Sequence, residues 1–461
     1  MLDAFIIILY LVGMLAVGAY AARGMRRLND FFAAGRKVGT PACTATLCET
    51  IIGGSATIGM AGLGFKMGLT GAWWLLVGAF GLIILAVTFG GRVRRSAAYT
   101  LPELVGKLYD RRTRLAASVL ILIAWLGVIA GQILAIGAIF STLWGWSMAA
   151  SAMASTSIFL AYTVLGGQRA LVRVDIIQFV MVVVGLCLLT APIAIARAGG
   201  LAGLQAGLPS GHFAFPTGPE MSAVGVVSLF LMVGLTYVVG PDIYSRLFLA
   251  KDERTAKKSA VATAICLVPF ALAVVFIGMC ARTLLPQISP EQSIPMVIRE
   301  VLPIGLGGIA IAALVASIMA DTLLMTTSTI AAWDIYKQYI NPKADDKEVI
   351  RVSRWMMIAI GLLALLVALL AEGVISALVF AYTMFSGGLI IPVMVGFHRE
   401  KLRVNSNGAF AGVIGGGAAA FLWKIFGMST PEPVIVGMAA CLILLLGVSR
   451  LVPEKSKKAR F

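Results

Sequence analysis

The chain has 461 residues, of which 60% are hydrophobic and only 13% are charged. This composition excludes a soluble globular protein of this length, because such proteins carry about twice that share of charged residues. The formal net charge of +16 does not indicate a nucleic-acid partner, because the basic residues follow the connections between long apolar runs. We therefore expect an all-α polytopic protein that spans the lipid bilayer of the inner (plasma) membrane many times.

Apolar runs of membrane-spanning length recur from one end of the chain to the other. They predict thirteen transmembrane helices, at about residues 4–22, 40–65, 70–90, 114–140, 146–165, 170–196, 222–246, 259–284, 303–336, 352–371, 374–397, 406–426 and 433–451. The first run has no preceding basic segment and no convincing cleavage site, so we expect a retained helix rather than a signal peptide. The six cysteines and two histidines lack metal-ligand spacing, and we expect no cofactor and no metal beyond a coupling ion.

The distribution of basic residues predicts the orientation of these helices. Of the 37 Lys and Arg residues, 32 fall in alternate connections, and the positive-inside rule places those connections in the cytoplasm. The N-terminus is then outside and the C-terminus inside, as an odd number of spans requires. The basic segment 452–461 becomes a short cytoplasmic tail.

The stretch from Cys48 to Gly59 interrupts the second predicted helix. Gly53 and Gly54 weaken the helix in its middle, and Glu49 places a carboxylate there. Broken backbone survives at membrane depth only where it faces a protein-lined cavity, and such discontinuous helices form the midplane sites of secondary transporters. Glycines alone would equally serve close helix packing. Glu49 favours the functional interpretation, because an ionisable residue at membrane depth is a functional candidate by default.

Two further carboxylates, Asp175 and Asp321, lie inside predicted helices. Carboxylates from three helices could converge on one cation, since hard cations prefer oxygen ligands. They could equally share a proton, because like charges in a low dielectric raise one pKa. The alternative is a structural role, in which these carboxylates pair with Arg173 or with backbone donors.

Two other helices contain residues that weaken them. Gly240-Pro241 interrupts the seventh predicted helix, because proline lacks a backbone donor. Asp242 and Arg246 follow at four-residue spacing and are expected to form a structural pair. In the eleventh helix, Gly387-Gly388 with Pro392 predicts a third weakened segment.

Short segments in a fixed order resemble the sodium:solute symporter family over nearly the whole chain. They are Asn29-Asp30-Phe31-Phe32-Ala33-Ala34-Gly35-Arg36, Tyr99-Thr100-Leu101-Pro102-Glu103-Leu104, Tyr162-Thr163-Val164-Leu165-Gly166-Gly167 with Asp175-Ile176-Ile177-Gln178, Tyr244-Ser245-Arg246-Leu247-Phe248, Asp321-Thr322-Leu323-Leu324 with Asp334-Ile335-Tyr336, and Asn405-Ser406-Asn407-Gly408-Ala409. The resemblance implies a single transporter domain, 1–461, that works by alternating access. Its ten-helix core, 40–397, would consist of two inverted five-helix repeats, with an extra N-terminal helix, 4–22, and two C-terminal helices, 406–451.

The resemblance also implies where ions bind, and this chain departs from the family there. The usual sodium site combines carbonyls of the broken helix, here near Glu49 and Ile52, with oxygens of the ninth helix. The ninth-helix positions correspond to Val315, Ile318 and Met319, so the two expected hydroxyl groups are replaced by aliphatic and thioether side chains. Glu49 stands where the family often has a small residue. We expect it to replace the lost ligands or to carry a proton.

A second ion position of the family corresponds to Asp175, Asp321 and Thr322, all of which retain oxygen atoms. These residues, with Glu49 and Ile52, are the candidate ion-coupling residues.

The substrate-facing positions implied by the resemblance are Gly53 and Ala56, which carry no polar side chain. A sugar needs several oriented hydrogen-bonding groups, so a compact solute such as a monocarboxylate or an amino acid fits better. Backbone N–H groups around 54–59 could receive its carboxylate. Gln132 and Tyr237 complete the candidate substrate contacts, together with Gly54.

These observations predict a secondary active transporter of a small organic solute, coupled to Na⁺ or H⁺. The alternative is an uncoupled or exchange-type transporter that has lost the family's sodium site. An enzyme would show clustered His, Cys or acidic motifs at the membrane surface, and a sensor would be expected to carry a signalling domain after the last helix. The expected partners are the substrate and the bilayer, and we expect a functional monomer.

Overall fold

The structure, a computed structural model, describes residues 28–165, 168–319, 321–428 and 430–452, with single positions between 2 and 16. The described residues are helical almost throughout, and their only β-contacts are two isolated bridges. The predicted all-α class is therefore confirmed. Of the predicted first helix, 4–22, the described positions up to residue 16 are helical. The tail 452–461 lies outside the described residues except for Val452.

The α-helices are numbered here in chain order. In the first half they are α1 (Leu28–Ala33), α2 (Thr40–Ile51), α3 (Met60–Met67), α4 (Trp73–Thr88), α5 (Gly90–Arg95), α6 (Leu101–Leu108), α7 (Arg111–Trp144), α8 (Met148–Leu165), α9 (Gln168–Val182), α10 (Ala191–Arg197) and α11 (Gly200–Gly207). In the second half they are α12 (Ala223–Leu229), α13 (Leu235–Val239), α14 (Pro241–Leu249), α15 (Glu253–Leu284), α16 (Ser293–Val301), α17 (Leu306–Ile318), α18 (Asp321–Thr329), α19 (Asp346–Leu370), α20 (Val374–Gly396), α21 (Arg399–Leu402), α22 (Ser406–Ile425) and α23 (Pro433–Leu451). Wider π-helical segments cover Ser55–Gly59, Val183–Thr190, Phe230–Gly234 and Ile330–Ile340.

Within the described residues, ten helical runs are long and apolar enough to cross a membrane. One of them, Ser55–Thr88, joins the end of the second predicted helix to the third. Helix α8, which matches the predicted helix 146–165, is not among the ten. The count of thirteen and the orientation of the termini therefore stay predictions.

Connections that were predicted to share one side of the membrane contact one another. The guanidinium of Arg95 lies 2.7 Å from the carboxylate of Glu253. Arg399 donates to the main-chain carbonyl of Leu108. We call the end of the helix bundle where these connections meet, at Arg95, Leu108, Glu253 and Arg399, the basic face.

Two of the predicted helix breaks are confirmed. Helix α2 ends at Ile51, and the chain resumes as a π-helical segment at Ser55. The second break lies at Gly240, whose ψ of 136° is extended, and Pro241 begins α14. Proline suits the first position of a helix, where no backbone donor is needed.

The ninth and eleventh predicted helices differ from expectation. The ninth is interrupted, because α17 ends at Ile318 and Met319 has a non-helical ψ of 79°. The eleventh was predicted to be weakened: α20 runs without a break from Val374 to Gly396, but Pro392 lies inside it, and the Gly388 carbonyl four residues earlier accepts a hydrogen bond from Sγ of Cys441 instead. Its glycines serve packing instead: a Cβ on Gly387 would lie 2.9 Å from the Cβ of Ala420.

Candidate substrate and ion site

At the break between α2 and α3, two backbone N–H groups do not form the usual helical hydrogen bonds. The N–H of Gly53 donates to the carbonyl of Ile51 at 2.9 Å. The N–H of Gly54 donates to Oε1 of Gln132 on α7 at 2.5 Å. In a continuous helix both groups would bond to carbonyls four residues earlier. A side chain of another helix therefore replaces part of the lost helical bonding, as buried backbone requires.

Both glycines of the break are required by the close approach of neighbouring helices. A Cβ on Gly53 would lie 2.9 Å from both polar atoms of the Gln132 side chain. A Cβ on Gly54 would lie 2.4 Å from the Cβ of Ala135 and 3.4 Å from a methyl group of Ile318. These distances support the packing interpretation of the two glycines, and their role in a substrate or ion site stays a prediction.

A small cavity lies beside the break, with a volume of about 10 Å³. This is close to the least that holds one water molecule. Its lining consists of Glu49, Thr50, Gly53, Gln132, Ser317, Met319, Thr322 and Leu323. Five of these side chains carry oxygen atoms, and the carboxylate among them is buried. The cavity therefore has the size and the chemistry to take a single small cation or a water.

Several candidate residues from the sequence meet at this cavity. Glu49 and Thr322 represent the two ion positions, and Gly53 and Gln132 represent the substrate contacts. Thr50 and Ser317 were not predicted from the sequence, although both are hydroxyl residues next to predicted positions, Glu49 and Ile318.

The positions where the resemblance expects hydroxyl ligands are apolar and buried. Ile318 packs against the break beside Gly54, and Val315 is buried one turn earlier. Met319 lines the cavity, and its sulfur lies 3.8 Å from the hydroxyl oxygen of Tyr10. Ile52, at the end of α2, is buried as well. Hard cations bind thioether and aliphatic groups poorly, so oxygen ligands here must come from other residues.

A fully buried ion pair lies next to the cavity. Nη2 of Arg246 is 2.8 Å from a carboxylate oxygen of Asp175, and neither side chain is exposed. The same guanidinium donates from Nε to the hydroxyl of Thr50 at 2.9 Å and from Nη1 to Oε1 of Gln168 at 2.6 Å. It also donates to the hydroxyl of Thr322. Because Thr50 and Thr322 line the cavity, the positive charge is one side chain away from it.

This pair corrects two expectations from the sequence. Arg246 was expected to pair with Asp242, but its partner is Asp175 on α9. Asp242 instead lies in the first turn of α14, where the helix dipole favours a carboxylate. The physical reason is that the fold brings the Arg246 guanidinium against Asp175, and a fully buried carboxylate is costly unless it is paired. Arg173, the other proposed partner, is exposed. In the sequence, Arg246 could have been recognised as a candidate partner because it is a basic residue within a predicted helix.

The remaining candidates lie apart from the cavity or outside the described side chains. Asp321 begins α18, and its side chain is outside the described part of the chain. Ala56 is buried in the π-helical segment. Tyr237 packs against α4, where a Cβ on Gly78 would lie 2.4 Å from its ring. The structure does not place Tyr237 in the lining of the cavity.

Aromatic side chains join three elements at the basic face. The Trp333 indole N–H donates to the carboxylate of Glu103 at 2.8 Å, and Glu103 also lies 2.9 Å from the ammonium of Lys107. The Tyr99 and Trp333 rings are 5.3 Å apart, and the Phe32 ring is 6.0 Å from that of Tyr99. These contacts fasten α1, the start of α6 and the end of the ninth helix together.

Comparisons with known proteins agree with this architecture. A sequence model described as "Sodium:solute symporter family" matches residues 31–416. A sodium/glucose cotransporter of Vibrio parahaemolyticus is 27% identical over 93% of this chain and 86% of its own. A sodium/proline symporter of Escherichia coli (strain K12) is 26% identical over 98% and 94%.

Two solved structures share the fold. A Na⁺-coupled sialic acid symporter in a substrate-bound outward-open state matches with a TM-score of 0.81 and 18% identity, covering 99% of each chain. A nucleobase-cation-symport-1 family transporter in a closed conformation matches with a TM-score of 0.63 and 14% identity, covering 93% of this chain and 96% of its own. At such identities the likeness concerns the fold alone.

Proposed function

The chain belongs to the sodium:solute symporter family, and we propose that it moves a small, carboxylate-bearing solute together with one Na⁺ by alternating access. The family consists of multi-pass membrane transporters, not enzymes. The substrate class, the coupling ion and its site are our proposal. The inverted five-helix repeats within 40–397 would supply the two halves that move against each other.

The buried carboxylate of Glu49, which lines a small cavity together with four other oxygen-bearing side chains, is the observation that carries the proposal. Glu49 and Asp175 are buried carboxylates, and Arg246 is the buried guanidinium beside them. With both carboxylates ionised, these three described groups sum to one negative charge. One monovalent cation neutralises that charge, and the low dielectric of the interior makes neutrality strongly favourable. Arg246 in turn disfavours a second cation close to Asp175.

The lining of the cavity favours Na⁺ over a proton. A proton needs only the carboxylate of Glu49, whereas Na⁺ needs several oxygen ligands to replace its water. Hydroxyl or amide groups of Thr50, Gln132, Ser317 and Thr322 surround the same small space. This arrangement would compensate for the apolar residues at the family's usual ninth-helix positions. Asp321 stays a candidate ligand from the sequence.

A compact solute is supported by the apolar character of the break. Gly53 and Ala56 offer no side-chain donors to a sugar, and this decides between the substrate classes, because the relatives include both sodium/proline symporters and sodium/glucose cotransporters. The expectation that the N–H of Gly54 receives the carboxylate needs one correction, since Gln132 already accepts its hydrogen bond. Substrate binding at this N–H would require the Gln132 carboxamide to turn away.

Thermal unfolding of the purified chain in detergent tests the ion site without knowledge of the substrate. NaCl should raise the unfolding temperature relative to equal choline chloride, because a ligand that binds only the folded state stabilises it. Glu49→Gln should remove this Na⁺-dependent rise. Glu432→Gln, at an exposed position, is the matched control and should retain it.

Uptake of L-proline and D-glucose into proteoliposomes then tests transport. Accumulation of L-proline under an imposed Na⁺ gradient, absent in Glu49→Gln, supports the proposal. Accumulation that follows only a pH gradient would make H⁺ the coupling ion. Full Na⁺-driven uptake by Glu49→Gln contradicts the proposed ion site, and counterflow independent of either gradient would indicate an exchanger.

A further inference from the structure

A large open groove lies between α7, α20 and α22, away from the ion site. Its volume is about 1220 Å³. The lining residues are Asp110, Arg111, Arg112, Leu115, Ala116, Val119, Leu120, Ile123, Tyr339, Met384, Phe410, Val413, Ile414, Gly417, Ala418 and Phe421. All the charged members lie at one end, and the rest of the wall is almost entirely apolar. One end of the groove is therefore charged, and the rest of its wall is apolar.

The length of the groove matches one leaflet of a bilayer. Arg111 to Ile123 on α7 rises about 18 Å, at about 1.5 Å per residue. Half of the hydrocarbon core of a membrane is about 15 Å thick. Helix α22 also begins at the basic face and runs in the same direction beside α7. An acyl chain lying along both helices would therefore extend from the headgroup region toward the middle of the bilayer.

Glycines bring the helices around this groove close together. Gly417 and Gly388 let α22 and α20 approach Leu120 closely, and a Cβ on Gly388 would lie 2.6 Å from its methyl group. Ile123 and Ile414 are each half exposed, at 50%. The groove is therefore a recess with apolar walls, suited to hydrocarbon chains.

The polar end carries an excess of positive charge. The carboxylate of Asp110 accepts hydrogen bonds from the N–H and hydroxyl of Thr113, so it serves the N-terminus of α7. Arg111 is held in place, because its guanidinium lies 4.3 Å from the centre of the Tyr339 ring. Arg112 is exposed and has no ion-pair partner among the described residues. Two guanidinium groups and one carboxylate thus face the headgroup layer.

We propose that this groove binds one anionic phospholipid, with its phosphate between Arg111 and Arg112 and its acyl chains along α7 and α22. Charge complementarity selects an anionic lipid, since basic pockets between transmembrane helices recognise such headgroups. The long apolar wall of the groove favours a lipid, which has acyl chains, over a free phosphate ion.

Native mass spectrometry of the full chain in detergent tests the proposal, with dioleoylphosphatidylglycerol and dioleoylphosphatidylcholine as probes of identical chains. Wild type should retain one phosphatidylglycerol in preference to phosphatidylcholine. Arg112→Gln should weaken phosphatidylglycerol binding about fivefold, the effect of one basic residue near the headgroups. Arg254→Gln, another exposed arginine of the basic face, is the matched control and should bind as wild type.

A second pair of variants tests the apolar part. Ala418→Trp fills the groove and should lower retention of both lipids, whereas Ala439→Trp, at an exposed alanine of α23, should not. Equal retention of the two lipids by wild type, or wild-type binding by Arg112→Gln, would overturn the proposal. A wild-type dimer that Ala418→Trp converts to a monomer would also overturn it, because a second copy would then occupy the groove.

Discussion

The guanidinium of Arg246 and the carboxylate of Asp175 form an ion pair 2.8 Å long in which neither side chain is exposed. The pair joins α14, which follows the second helix break, to α9. The same guanidinium also donates to the hydroxyl groups of Thr50 and Thr322, which line the cavity together with Glu49. The residues at the two predicted ion positions are therefore connected through the Arg246 guanidinium.

Removing one member of this pair should be strongly destabilising. Asp175→Asn or Arg246→Gln leaves a buried charge uncompensated, at a cost of about 3–5 kcal/mol in the free energy of unfolding. The double variant should lose less than the sum of the two. Arg95→Gln, which breaks an ion pair exposed by 66% and 39%, is the control and should cost at most about 1 kcal/mol. Unfolding in detergent measures all four. Additive losses would show that the two residues do not act as a pair.

Glycine at position 54 should be indispensable for close packing of the break. A methyl group in Gly54→Ala meets the Cβ of Ala135 at 2.4 Å and should cost about 1–3 kcal/mol of stability. Ala135→Gly should partly rescue it, because it removes the opposing methyl group. Gly447→Ala, where nothing lies within 4 Å of the added atom, is the control. If Gly54→Ala unfolds like Gly447→Ala, the contact with α7 is not tight.

Restoring oxygen ligands on the ninth helix should strengthen sodium binding. Ile318→Ser with Met319→Ser places two hydroxyl groups where the chain now has apolar groups beside the break. The Na⁺ concentration for half-maximal thermal stabilisation should fall several-fold, since hard cations prefer oxygen ligands. The same pair introduced into Glu49→Gln should return part of its Na⁺ response. Ile311→Ser, also buried but two turns earlier, controls for loss of apolar volume. If the two substitutions leave the Na⁺ response unchanged both in the wild-type chain and in Glu49→Gln, then Ile318 and Met319 do not border the ion site.

The indole of Trp333 should limit solvent access to Ser328, which is buried on the same helix. Trp333→Phe preserves ring packing with Tyr99 but removes the hydrogen bond to Glu103. A cysteine introduced at Ser328, on the same helix, should then react faster with a soluble maleimide. Trp355→Phe, at a residue 63% exposed, is the control and should leave the labelling rate unchanged. Equal rates in the two variants would show that this hydrogen bond does not shield position 328 from solvent.

The predicted orientation places the basic face in the cytoplasm. A cysteine at Ser210, which is exposed in the connection after α11, should react with a membrane-impermeant maleimide in intact cells. A cysteine at Arg254 should react only after permeabilisation, since it lies on the basic face. The unsubstituted chain gives the background from its own cysteines. Labelling of both sites in intact cells would refute the predicted arrangement.

The sequence by itself determined the membrane class and two of the helix breaks. Both follow from local chemistry: apolar length decides whether a segment can span lipid, and Gly53-Gly54 and Gly240-Pro241 lower the local stability of a helix, so they indicate where a break can form. The carboxylate Glu49 was recognisable for the same reason, because a charge at membrane depth is conspicuous without any neighbours.

The tertiary structure decided which distant groups meet. Arg246 has Asp242 one turn away in sequence, yet its partner is Asp175, because helix packing brings α14 against the buried carboxylate of α9. Gly387-Gly388 resembles Gly53-Gly54 in sequence, but α22 and α23 pack closely against α20 at this point, and α20 stays continuous. A residue's pairing and packing depend on which helices lie against it, and no local pattern specifies that.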